Sequence, residues 1–259
     1  MAERKPYRWL LTSAALASIV VGILVVTVVA RPWTTALGPS WSPARIGYCY
    51  VYVILVYTIP AVVCTYLFTK NDEWIHPLGG TSAQKPLSVY ALTGAAVVAA
   101  VYAVGGVLTA VNIDLPALIV SFAAAYFGPV VCFVSIFIGF FIRWAIGGAP
   151  WLPAPILGPA VALMDASTWA INAYIFWSIV RRPWRGFLKA ASRVLAIPCM
   201  IAVWNLGVLL YAFVGNPWPA FVAYTVFSYS TWIPTGMVFI VVGAVAGEAL
   251  YAARALRRG

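Results

Sequence analysis

Of 259 residues, 64% are hydrophobic, 15% aromatic and only 8% charged, and the mean hydropathy is +0.95. Soluble domains carry about 45–50% apolar and about 25% charged residues, so this composition excludes a water-soluble globule and points to an integral membrane protein. Six acidic against sixteen basic residues give a net charge of +10, and the single histidine, His76, excludes haem or zinc sites built from several imidazoles.

A spanning helix takes about 20 apolar residues. The first predicted span runs from Trp9 to Ala30, between Arg8 and the Arg31-Pro32 step. It is too long for the apolar core of a signal peptide and reads as a retained helix. A second covers Ile46 to Thr69, which makes residues 1–69 an N-terminal two-helix hairpin. Residues 70–87, with KNDEWIHPLGGTSAQK, read as a polar cytoplasmic linker. The third span, Ser88 to Val111, opens a six-helix unit over residues 88–259.

From Asn112 to Gly148 only Asp114 and Arg143 are charged, over a stretch too long for one helix. Gly128-Pro129 is the natural break, because proline removes a helix hydrogen bond and restricts the residue before it. Short helices are therefore expected at Pro116–Phe127 and Val130–Ile146. After GGAPWLPAP comes a span from Ile156 to Val180, then the basic loop Arg181–Arg193 and a span from Val194 to Val214. GNPWPAF precedes the last span, from about Tyr224 to Ala252. The expected fold is an all-α membrane protein of about eight segments.

Charge supports the count. With a cytoplasmic N-terminus, thirteen of the sixteen basic residues fall inside, among them Arg8, Lys70, Arg181, Arg193 and Arg254. Only Arg31 and Arg45 fall outside, with Arg143 near the outer boundary. This follows the positive-inside rule, accounts for the net charge and argues against nucleic-acid binding. A multi-pass plasma-membrane protein with both termini cytoplasmic is expected. Cys49, Cys64, Cys132 and Cys199 lie in apolar runs without a CxxC pair and read as small buried residues.

Within the third span, Ala91, Ala95, Ala99 and Ala103 recur every four residues, beside Ala96 and Ala100. That spacing puts them on one face, where small side chains admit a close helix. The face is either an internal packing seam or a docking stripe for another membrane subunit. Further on come AAAYFGPVVCFVSIFIGFF, with its small-residue run and FGP step, and VFSYSTWIPTGMVFIVVGAVAGEAL, with its IPT step and glycines. Together with the six segments, these features resemble the substrate-binding S-component of energy-coupling factor (ECF) vitamin transporters, over Ser88 to Gly259. The two preceding helices depart from that six-helix pattern.

The resemblance implies a vitamin-like solute bound near the outer face. It also implies uptake driven by a separate transmembrane coupling subunit and two ATPases, and docking through the alanine face. The solute would lie among Asn112–Asp114, Gly147–Pro155, Gly215–Phe221 and the adjoining helix ends.

Ionisable groups inside a membrane are costly and therefore functional suspects, which singles out Asp165 and Arg143. Asp165 lies roughly 13 Å into its helix at 1.5 Å per residue and shares a face with Trp169 and Asn172. An acid beside aromatic rings suits a cationic heterocycle. Asp165 otherwise pairs with helix hydroxyls or with Arg143, which in turn either snorkels to the headgroups or clamps a ligand carboxylate. Asn205, beside Trp204, needs a partner in another helix or in a ligand. Tyr229 and Trp232 enter on the final helix, while Trp151 and Trp218 lie in outer loops as belt or pocket residues. Asp114 is a lid residue or a helix N-cap. The cluster has the profile of a small-molecule pocket, apolar with a few polar fixers.

No GxSxG, HExxH or close acidic pair marks an intramembrane enzyme, and no cofactor is expected. The expectation is a high-affinity, non-catalytic binding subunit for vitamin uptake. The alternative is a structural or accessory subunit of a larger membrane complex.

Overall fold

A computed structural model describes residues 6–25, 28, 43–70, 89–108, 114–146, 157–182, 184–215, 222–223, 226–227, 230 and 233–256. Among them eight helices appear and no strand. α1 is Pro6–Leu24, and α2 runs from Pro43–Val53 through a π-helical Ile54–Thr58 into Ile59–Thr69. α3 is Val89–Leu108, α4 Leu115–Tyr126 and α5 Pro129–Ala145. α6 is Gly158–Val180, α7 Phe187–Gly215 and α8 Ile233–Leu256. Five of these hold stretches long and apolar enough to cross a bilayer: Tyr7–Leu24, Ile46–Thr69, Val89–Gly106, Phe187–Asn205 and Pro234–Ala253. The chain is a multi-pass membrane protein whose described residues form an all-helical bundle.

Local chemistry explains the breaks. Gly128 takes φ 88°, a left-handed conformation that glycine adopts without strain, and Pro129 then opens α5 at a position needing no N–H. The π-turn in α2 has a similar origin. Ile59 N–H reaches back five residues to the Ile54 carbonyl, and in that register the next donor would be Pro60, which has none. The Leu55 carbonyl accepts instead from Ser18 Oγ at 2.5 Å, which ties α1 to α2. Polar Arg181–Arg193 does not remain a loop throughout. After Gly186 the helix starts at Phe187, so Lys189 and Arg193 ride on α7.

α6 is the centre of the bundle, packed by α2, α4, α5 and α7. It is absent from the five apolar stretches because Asp165, Thr168 and Asn172 interrupt it, and neighbouring helices rather than lipid surround most of it. α8 lies along α4 at very short range. A Cβ on Gly243 would stand 2.1 Å from the Leu118 carbonyl oxygen, so only glycine lets the two backbones approach this closely. α2 is not an appendage: Tyr52, Val53, Tyr57 and Phe68 belong to the same apolar core as Trp169 and Trp177. Apart from Lys70, the expected linker 70–87 lies outside the described residues.

The four alanines of α3 have a partner within the chain. Ala91, Ala95, Ala99 and Ala103 are buried, the first two packing with Val131 and Phe127. A Cβ on Gly139 of α5 would meet the Ala99 carbonyl oxygen at 2.8 Å. The stripe expected to dock a separate subunit is thus an internal α3–α5 seam. Small residues on both helices bring the backbones together, and the four alanine side chains are buried in that contact. Val89, Leu92, Val97 and Val104 form the exposed side of α3.

Candidate functional site

At the end of the bundle where α3 and α5 finish and α4 and α6 begin, four polar side chains meet. Asp114 is the N-cap of α4, its Oδ1 accepting from the Ala117 N–H at 3.0 Å, and it is buried. The unsatisfied N–H groups of a helix start favour a carboxylate there. Arg143 sits in the last turn of α5, where the helix dipole favours a cation. It does not snorkel: the side chain is only 6% exposed and folds back across α3. A Cβ on Gly106 would lie 2.2 Å from Arg143 Nε, so glycine at 106 opens that path.

Tyr102 of α3 joins the charges. Its hydroxyl donates to Asp165 Oδ2, and the Arg143 guanidinium stands 5.7 Å from its ring centroid. Asp114, Asp165 and Tyr102 all lie within the field of Arg143, and the two carboxylates act on each other. Trp204 of α7 and Gly236 of α8 close the layer. A Cβ on Gly236 would be 2.7 Å from the Trp204 ring and 3.1 Å from Asp114 Oδ2.

Polar groups continue along α6. Asn172 is fully buried, and both its amide atoms lack a hydrogen-bond partner among the described residues. Thr168 Oγ1 and Asn205 Oδ1 are in the same condition. An unpartnered buried polar group costs about 1–3 kcal/mol, so several together on and beside one helix call for an explanation. Trp169 is 1% exposed and belongs to the main core.

Structure thus brings together Asp114, Arg143 and Asp165, and places Trp169 and Asn172 on the Asp165 helix. Trp151, Trp218, Tyr229 and Trp232 lie outside the described residues. Sequence reasoning missed Tyr102 and Gly106. The available signal was their spacing from Ala99 and Ala103, which puts them on the buried face of α3. Asp114, Asp165 and Arg143 carry two formal negative charges against one positive. Among the described residues no three His, Cys, Asp or Glu side chains come together as a metal site.

A groove of about 280 Å³ lies at the opposite end of the bundle, away from this charge cluster. Comparison with protein-family models, curated proteins and solved structures finds no match to the chain.

Proposed function

We propose that the chain is a membrane-embedded solute binder that captures a small cationic, vitamin-like molecule at the Asp114–Asp165 end. The supporting observation is the charge balance of that cluster. Two carboxylates, held by a helix N-terminus and a phenol, share one arginine. In a low-dielectric setting an unbalanced negative charge is costly until a proton or a cation joins it. The unpartnered amide of Asn172 supplies a donor and an acceptor for a heterocycle, Asn205 Oδ1 a further acceptor, and Trp204 an aromatic wall. The same balance disfavours a carboxylate vitamin.

In this reading the binding end faces outward. Uptake is energised by a separate coupling subunit and ATPases, which would meet an exposed apolar face rather than the buried alanines. A purely structural subunit has no use for such a cluster.

The test is mass spectrometry of small molecules released by denaturing the gently purified protein, expressed with candidate vitamins present. One stoichiometric cationic compound is expected. Its binding, followed by calorimetry, weakens in Asp165→Asn and persists in Lys189→Gln. Release of lipid and detergent alone, with no binding of thiamine-like cations to the emptied protein, overturns the reading.

A further inference from the structure

The groove at the other end runs between α6, α7 and α8. Phe176 and Ile197 form part of its walls, and Ala244, Ala249 and Ala252 of α8 make the hollow, since their side chains are too short to fill it. Val245, also in the lining, is 54% exposed, so the groove opens onto the surface of a membrane-spanning chain, where acyl chains are its solvent.

Charge at the groove is unbalanced in the sense opposite to that at Asp114. Both oxygens of Glu248 are engaged, by Arg181 at 2.5 Å and by Arg193 at 3.0 Å. Two guanidiniums on one carboxylate leave one positive charge over. Arg193 is itself a lining residue and its side chain is 44% exposed. Lys189, Arg193 and Ile197 recur every four residues and therefore share one face of α7. Along that face an exposed Lys189 comes first, then Arg193, then apolar Ile197. An amphiphile with an anionic head and an apolar tail has the same order of chemistry.

We propose that this groove seats one anionic phospholipid, its phosphate held by Arg193 and Lys189 and one acyl chain lying along Phe176, Ile197 and the alanines of α8. Arginine suits the phosphate because its planar fork offers paired donors, and lysine near a bilayer surface adds electrostatic attraction. A zwitterionic lipid fills the hollow equally well and leaves the surplus charge unanswered, so headgroup selectivity is the signature of the seat.

Native mass spectrometry of the purified full chain, offered equal phosphatidylglycerol and phosphatidylcholine, reads this directly. Wild type is expected to retain one phosphatidylglycerol in preference to phosphatidylcholine. Lys189→Gln and Arg193→Gln each reduce that preference roughly five-fold, the worth of one charge at a membrane surface. Ala249→Phe, which fills the hollow, removes retention of both lipids. Melting curves in detergent accompany each variant. Lys189, in no ion pair among the described residues, keeps the test decisive if another variant fails to fold. Equal retention of the two lipids by wild type overturns the proposal, as does a preference that survives Lys189→Gln and Arg193→Gln together. So does a dimer that Ala249→Phe dissociates without any lipid preference in wild type, which would make this face a protein interface.

Discussion

Each end of the bundle buries an arginine where a helix finishes, and the two are treated differently. Arg181, the C-cap of α6, meets Glu248 at 2.5 Å, donates to the Ala125 carbonyl at 3.2 Å and lies over the Tyr251 ring at 3.4 Å. Those contacts join α4, α6 and α8, and Arg193 adds α7 through the same carboxylate. At the other end neutral donors also hold the carboxylates around Arg143, Asp114 by a backbone N–H and Asp165 by Tyr102. Direct ion pairing spends charge on cross-linking helices. Holding a carboxylate with neutral donors fixes its position and leaves its charge to act on a third group.

Breaking the Arg181 end should therefore cost stability. Glu248→Ala strands a guanidinium that is 7% exposed, and a loss of about 3–5 kcal/mol is expected in detergent unfolding. Removing the partner as well, in Glu248→Leu with Arg181→Leu, should restore most of it. If the single variant melts like wild type, the ion pairs do not lock this end.

The Asp114 end should respond in binding rather than stability. Asp165→Asn keeps an oxygen for Tyr102 and removes the charge, so affinity for a cationic ligand should fall about ten- to hundred-fold, or ~1.5–3 kcal/mol. The melting curve should move little. A large loss of stability with unchanged affinity would make both ends structural.

The α3–α5 seam separates the ends, and its burial is testable in the same assay. Ala99→Leu overpacks a residue that is 4% exposed, and about 1–3 kcal/mol of stability should go with it. No change in melting would show the alanine face to be open after all. The smallest effect is expected at Ser18→Ala, which removes the hydroxyl serving the Leu55 carbonyl. A loss of about 1 kcal/mol is expected, confined in hydrogen exchange to α1 and the π-turn of α2.

Much of the fold was legible in the chain because membrane solvation leaves strong marks. The apolar stretches of α1, α2, α3 and α8 stand out by length, and the break between α4 and α5 is written in Gly128-Pro129. α6 was placed by its punctuation, yet its role at the centre was not legible, since hydropathy reports how apolar a helix is and not what surrounds it. Asp165 and Arg143 could be singled out by the cost of charge in a bilayer. Tyr102 could not, because a tyrosine on an apolar helix looks like any core aromatic until an acid is brought to its hydroxyl.

The sequence by itself determined that the chain is helical and crosses a membrane, where its helices break, and which charges are costly. Those are local consequences of apolar content, proline geometry and desolvation. Tertiary structure decided who meets whom. It spent the alanine face on α5, folded Arg143 inward over Gly106 instead of out to the headgroups, and brought two acids from α4 and α6 to one arginine from α5. Pairings between helices far apart in the chain depend on close approach of backbones at residues such as Gly139 and Gly243, and no spacing along one helix encodes its partner.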